Sequence, residues 1–215
     1  AVWGTGLFIW NKATGEIDRL NSGKSAFAGR GIYHLFQDSK GFVWSCTNEG
    51  VSRYNPKTGE YRDYNKFYRK PDQYGLVWCG MEDSKGNVLF GTALEGLYRY
   101  NPNADQMEMV FNQEAFFNSR GYLGIRQMSE APDGRLWLAC GKSSLIRFDP
   151  VTGEGKRFTY QDQFTTDACG AVEAGQNGRV YAAFHETFLE LDSEGRVLHR
   201  FTNDNGLKTS RLCFF

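Results

Sequence analysis

Gln37-Asp38-Ser39-Lys40-Gly41-Phe42-Val43-Trp44 sets a pattern that returns three more times along the chain. The copies are Glu82-Asp83-Ser84-Lys85-Gly86-Asn87-Val88-Leu89, Pro132-Asp133-Gly134-Arg135-Leu136-Trp137 and Gln176-Asn177-Gly178-Arg179-Val180-Tyr181. Their anchor glycines, Gly41, Gly86, Gly134 and Gly178, stand 45, 48 and 44 residues apart. After each glycine come one free position, an aliphatic residue and a large apolar or aromatic one. A second landmark keeps phase with the first. It reads Gly50-Val51-Ser52-Arg53-Tyr54-Asn55-Pro56-Lys57-Thr58-Gly59, then Gly96-Leu97-Tyr98-Arg99-Tyr100-Asn101-Pro102. It recurs as Ser144-Leu145-Ile146-Arg147-Phe148-Asp149-Pro150-Val151-Thr152-Gly153, and more weakly from Phe188 to Gly195. Gly6-Leu7-Phe8-Ile9-Trp10-Asn11 opens one further copy near the start.

Two landmarks in phase predict four strands per repeat. In the first full repeat these are Ile32–Phe36, Phe42–Cys46, Val51–Tyr54 and Glu60–Tyr64. In the third strand Val51 and Arg53 alternate with Ser52 and Tyr54, the period of two that strands impose. The turns carry their own chemistry. Asp-Ser-Lys-Gly offers a carboxylate to nearby backbone N–H groups and a glycine for positive φ, and Asn-Pro-Lys-Thr-Gly presets φ at proline. No stretch sustains a period of 3.6, so almost no helix is expected. Four antiparallel strands recurring at this spacing are the mark of propeller blades. The fold class read here is all-β, a β-propeller of four-stranded antiparallel blades. Solenoid coils are shorter, and unrelated hairpins would not hold two landmarks in register.

The chain of 215 residues is read as a single propeller domain or propeller fragment, 1–215. It starts on Val2-Trp3, the tail of an anchor, and ends in Asp204 to Phe215, the approach to another. Four complete blades plus the two flanks of a split fifth are expected, as part of a larger ring and with a closed five-bladed ring as the alternative; such rings usually hold 4–8 blades. An open array would leave long strand edges bare. Composition agrees: 25 Gly, only 5 Pro and 15% aromatic residues suit short strands and tight turns. The formal net charge of zero argues against a nucleic-acid partner. No apolar run reaches the roughly 20 residues of a membrane helix, and the start reads as strand, not as a signal peptide. The five cysteines lie singly in apolar runs, as small core residues do, with no disulfide framework and no metal spacing.

The pattern Asp-x-x-Gly-x-aliphatic-Trp, followed by Gly-Thr and then Gly-Leu-x-x-Tyr-Asn/Asp-Pro-x-Thr-Gly, resembles the two-component regulator propeller repeat. It is clearest from Asp38 to Gly59, from Asp83 to Pro102 with Gly91-Thr92, and in Trp3-Gly4-Thr5-Gly6-Leu7. The fourth repeat departs most, with Tyr181 for Trp and Ala182-Ala183 for Gly-Thr. The resemblance implies the periplasmic sensor region of a hybrid two-component system. It implies oligosaccharide as ligand, no enzyme activity in this segment, no cofactor, and a kinase outside the chain. A homodimer through propeller faces is the protein contact it admits. Seven blades at this period need about 300 residues.

Periodic recurrence marks Asp38, Asp83 and Asp133 as turn residues, and Trp3, Trp44 and Trp137 as inter-blade packing. No glycine-rich loop leads from a strand into a helix, which leaves nucleotide binding without its cradle. His34 and His199 fall on predicted strands and read as packed or surface residues. Binding is expected on the loops between second and third strands and between blades, which share one face. The candidates are Asn48, Glu49, Glu95, Lys142, His185 and Glu186 on the former, and Tyr68, Arg69, Lys70 and Arg120 on the latter. Aromatic and charged side chains together suit sugars. Phe67, Phe116 and Phe117 flank these groups, and packing beneath neighbouring blades accounts for each as well as binding does. The alternatives are a streptogramin-lyase-like propeller enzyme, with His185 and Glu186 moving protons, and a protein-interaction scaffold.

Overall fold

Gly41, Gly86, Gly134 and Gly178 take φ of 87°, 81°, 79° and 76°, a region that side chains rarely adopt. Each therefore closes a tight turn, and a strand leaves it on either side. In this computed structural model, residues 7–20, 31–64, 75–112, 124–141, 144–159, 169–184 and 187–207 are described. Strands β1 (Leu7–Trp10) and β2 (Ile17–Leu20) form a hairpin. The first four-stranded sheet follows as β3 (Ile32–Gln37), β4 (Val43–Thr47), β5 (Gly50–Tyr54) and β6 (Tyr61–Tyr64). The second is β7 (Val77–Glu82), β8 (Val88–Thr92), β9 (Gly96–Asn101) and β10 (Gln106–Asn112). The third is β11 (Ile125–Glu130), β12 (Leu136–Cys140), β13 (Ser144–Phe148) and β14 (Gly155–Thr159). The fourth is β15 (Cys169–Ala174), β16 (Val180–Phe184), β17 (Phe188–Leu191) and β18 (Val197–Phe201). Every sheet is an antiparallel meander in chain order. A single 3₁₀ turn, Asn203–Asn205, is the only helical element among the described residues.

The first strands β3, β7, β11 and β15 pack side by side, and the sheets radiate outward from them as propeller blades do. The four strands predicted for the first full repeat agree with the observed ones to within one residue at each end. β1 and β2 hold the places of the third and fourth strands of the repeat, and Leu7 packs on Tyr54 of the first sheet. One point differs from the alternation read in the third strand. Val51, Ser52 and Tyr54 are all buried, because this sheet is covered by the β1–β2 hairpin on one face and by the second four-stranded sheet on the other. Chemistry still alternates, and Ser52 satisfies its hydroxyl on Asp63 at 2.5 Å.

The blades are joined by one apolar cluster at each seam. Trp44 is fully buried and meets Tyr64 of its own sheet and Phe90 and Tyr100 of the next, with ring centroids 5.0–5.9 Å away. Leu89 and Trp137, at the same position in their repeats, likewise face forward into the following sheet. Burying a ring leaves its N–H in need of a partner. Trp44 Nε1 donates to Asp38 Oδ2 at 2.7 Å, while Asp38 Oδ1 accepts the N–H groups of Lys40 and Phe42. Asp38 is thus both the turn residue that its recurrence implies and the acceptor for the core tryptophan. Asp83 binds Lys85 and Asn87 in the same way. Asp133 is a turn residue too, but it stands two places later: Ala131 occupies the Asp38 position, and Asp133 binds Arg135. Turn serines knit the seams, Ser39 to Glu82 at 2.6 and 2.7 Å and Ser84 to Glu130 at 2.6 Å for both bonds.

A charged clasp closes the outside of the first seam. Asp105 has φ of 51° and is the sole non-glycine residue with positive φ among the described residues. It stands where Gly59 and Gly153 close the corresponding turns of other repeats. Its carboxylate accepts from Tyr64 at 2.6 Å and Tyr100 at 2.7 Å and pairs with Arg62 and, at 3.7 Å, with Arg53. The Arg53 guanidinium lies over the rings of Phe42, Trp44, Tyr64 and Tyr100. Burial raises the Asp105 pKa, but the two phenols and the two guanidinium groups outweigh it and hold the carboxyl below its ordinary value.

The four cysteines among the described residues behave as expected of core residues, and Cys213 lies outside them. Cys46, Cys79, Cys140 and Cys169 are buried free thiols, and burial pushes Cys79 up to about 12, so they stay protonated at neutral pH.

Two predictions follow from the first seam. Asp38→Ala orphans the Trp44 N–H and two turn N–H groups, and should lower unfolding free energy by about 1–3 kcal/mol in urea denaturation. Asp105→Asn removes a carboxylate whose folded pKa is depressed. Its contribution is present above the unfolded-state pKa and is lost as pH falls through the folded one. The gap between wild-type and Asp105→Asn urea midpoints should therefore be widest near neutral pH and close in strong acid.

Candidate functional site

A meander puts the turns between first and second strands at one end of each blade and the loops between second and third strands at the other. At that second end the first strand of every four-stranded sheet carries a bulge. Registry slips between Ile32 and His34, Val77 and Cys79, Ile125 and Gln127, and Cys169 and Ala171. The extra residues are Tyr33, Trp78, Arg126 and Gly170. A bulge re-aims the side chain of its extra residue out of the ladder. Tyr33 is 40% exposed, Arg126 is exposed and Trp78 is half-buried, although all three lie on the innermost strands. The Arg126 guanidinium carbon sits 4.8 Å from the centroid of a Trp78 ring.

This pair abuts the loop of the second blade. A Cβ on Gly124 would fall 2.4 Å from Trp78 and 2.6 Å from Ala93, so glycine there lets the indole lie against the loop that leads to Glu95. Ala93 N–H in turn bonds Leu76 O at 2.9 Å. The result is an aromatic and cationic platform at the inner end of the blades, on the loop face. Among the described residues Arg126 has no carboxylate within ion-pair distance, so its N–H donors are open to a ligand. Such a platform stacks on an apolar ligand face and donates hydrogen bonds to oxygen atoms, and a cation over an indole is worth about 0.5–1 kcal/mol at an exposed site.

Three of the ten loop candidates fall within the described residues. Asn48 is half-buried, and its Oδ1 accepts the Gly31 N–H at 2.8 Å while its own N–H bonds Gly31 O at 3.1 Å. It staples the entry of the first strand to the loop. Glu49 is exposed on the same loop, with its N–H on Thr47 Oγ1 at 3.0 Å. Glu95 is half-buried and accepts the Tyr98 hydroxyl. Tyr68, Arg69, Lys70, Arg120, Lys142, His185 and Glu186 lie outside the described residues, as do Phe67, Phe116, Phe117 and Trp3. His34 Nδ1 accepts Gly80 N–H at 3.3 Å across a seam, and His199 Nδ1 lies 2.8 Å from Glu190. Among the described residues no three His, Cys, Asp or Glu side chains gather to hold a metal ion.

Tyr33, Trp78 and Arg126 escaped the reading of the sequence. One signal was there: they hold one position, five residues before the turn, where the repeats disagree while the preceding residues Ile32, Val77, Ile125 and Cys169 stay apolar.

No family model matches the chain, and no curated protein matches it either. Solved structures do resemble it. The extracellular domain of a B. thetaiotaomicron one-component system aligns with a TM-score of 0.69 and 15% identity. That of a hybrid two-component system from B. thetaiotaomicron aligns at 0.70 and 16%. These alignments cover 84% and 96% of this chain but only 24% and 27% of those chains. Virginiamycin B lyase from Staphylococcus aureus gives 0.70 and 15%, covering 93% of this chain and 63% of the lyase. At such identities the likeness shows the fold, a β-propeller.

If Arg126 and Trp78 form the platform, Arg126→Ala should alter the near-ultraviolet circular dichroism of the indole. Stability should shift by no more than about 1 kcal/mol, the worth of an exposed cation–π pair.

Proposed function

We propose that this chain is a ligand-binding propeller segment of an extracellular or periplasmic sensor, recognising oligosaccharide and signalling to a kinase outside the chain. The observation that carries the reading is the Trp78–Arg126 platform, built on bulges and placed beside the loop of the second blade. Flat rings stack on the apolar faces of sugars, and guanidinium groups donate to hydroxyl or anionic oxygens. The two B. thetaiotaomicron neighbours are extracellular domains of regulatory systems, which supports the sensor setting. Among the described residues no helix is long and apolar enough to cross a membrane. The lyase neighbours support the same fold, and the residues on which a lyase reading relies, His185 and Glu186, lie outside the described residues.

Calorimetry of the full-length protein against plant, host and microbial glycans tests this. Binding by at least one glycan is expected. Trp78→Ala should weaken it by about tenfold or more, about 1.4 kcal/mol, in a variant whose far-ultraviolet circular dichroism remains that of the folded protein. Failure of every glycan, or undiminished binding in both Trp78→Ala and Arg126→Ala, would overturn the reading.

A further inference from the structure

The seam between the third and fourth blades breaks the pattern of the first two seams in three linked places, all at the turn end. Ala131 stands for the Asp38 that receives the core indole, Pro132 for the turn serine, and Ala174 for the glutamate that the serine binds. Ala174 N–H donates to Ser129 Oγ at 2.9 Å, and Val172 N–H to Gln127 Oε1 at 3.1 Å, as Gly80 N–H does to His34 in the first seam. These lie along the inner strands and leave the turn end open. A cleft of about 330 Å³ occupies that place, against about 260 Å³ for the grooves between the first and second blades and between the second and third. Ala131, Pro132, Ala174 and Val180 supply apolar lining, and Gln176 and Arg179 polar lining.

Trp137 also lines the cleft, with 1% of its surface exposed. One ring face stacks on Phe158 at 5.4 Å. Among the described residues no acceptor lies within hydrogen-bond distance of its indole N–H. A second donor stands open at the cleft beside it. In the first blade the carboxylate of Asp38 receives Lys40 N–H at 3.1 Å and Trp44 Nε1 at 2.7 Å. Their counterparts in the third blade are Asp133 N–H and Trp137 Nε1, which have no carboxylate at residue 131 to receive them. Charge does not oppose an anion here. Asp133 is paired with Arg135 at 3.1 Å, and Arg179 faces Glu190 at 3.7 Å.

We propose that this cleft binds a small carboxylate-bearing molecule, one oxygen on Trp137 Nε1 and the other on Asp133 N–H, where the first blade uses its own Asp38. The cleft volume falls at the low end of small-molecule sites, room for an acid of acetate size up to one uronic sugar. It lies at the turn end of the blades, opposite the Trp78–Arg126 platform, so it stands or falls separately from the glycan reading.

The test is nuclear magnetic resonance of the ¹⁵N-labelled 215-residue chain, with the Trp137 indole signal assigned through Trp137→Phe. Titration with acetate and glucuronate is compared with glucose and with chloride at equal ionic strength. Saturable shifts of both the Trp137 indole N–H and the Asp133 amide are expected with a carboxylate and not with glucose or chloride. Acetate alone points to a small acid, and glucuronate binding more tightly points to a uronic sugar. Ala131→Asp supplies the carboxylate covalently and should show the shifted indole signal without ligand and abolish the titration. Ala131→Leu should abolish it by filling the space, and serves where Ala131→Asp does not fold. Shifts equal to those in chloride, or titration undiminished in the folded variant, would overturn the proposal.

Discussion

Burial of both faces of the first, second and third four-stranded sheets is the constraint from which the rest of this structure follows. A sheet with one wet face alternates apolar and polar residues along its strands, whereas a blade has a neighbour on either side. The inner strands must then supply two apolar faces at once, and any polar atom inside has to find its partner across a strand or across a seam. Trp44 shows how the repeat answers. Its ring fills the seam toward Phe90 and Tyr100, and the turn six residues back returns a carboxylate oxygen to its N–H. The same carboxylate closes the turn. One aspartate joins turn geometry to core packing, which explains why the two features recur together.

Strands and turns were legible because both are local. A glycine at positive φ, an aspartate three residues before it and an apolar residue two or three after it are all read within one window. What could not be read depends on two segments at once. A bulge is a relation between strands, so Tyr33, Trp78 and Arg126 look like ordinary strand residues until the partner strand shows which is extra. Ser39 meets Glu82 across 43 residues, and nothing near either names the other. Asp133 was grouped with Asp38 and Asp83 because it also precedes a glycine, but its spacing to that glycine is one, not three. The loop candidates were legible as a face and not as side chains. Asn48 shows why: an exposed-looking loop amide bonds the backbone of a segment 17 residues away.

Asp105 and Asn48 illustrate how a uniform scaffold acquires local character. A glycine closes the equivalent turn elsewhere, and aspartate is among the few residues that tolerate left-handed backbone. The strain of that choice is offset by what the carboxylate reaches, two tyrosines and two arginines that span the first seam. The seam is tied by charge on its outer side and by the serine–glutamate bonds at the turns.

Against that background, departures that come singly and departures that come as a set carry different weight. Leu89 replaces the tryptophan of the first repeat, and its N–H acceptor is not wasted, because Asn87 takes up the free oxygen of Asp83 at 2.8 Å. The change is compensated within the same hairpin. At the third seam the acceptor, the serine and the glutamate are all gone while the tryptophan that needs the acceptor stays. A buried donor without an acceptor costs about 1–3 kcal/mol unless water or a ligand reaches it, and Trp137 has the cleft beside it. A set that removes every acceptor and keeps the donor beside an open cleft leaves a place shaped for an acceptor from outside.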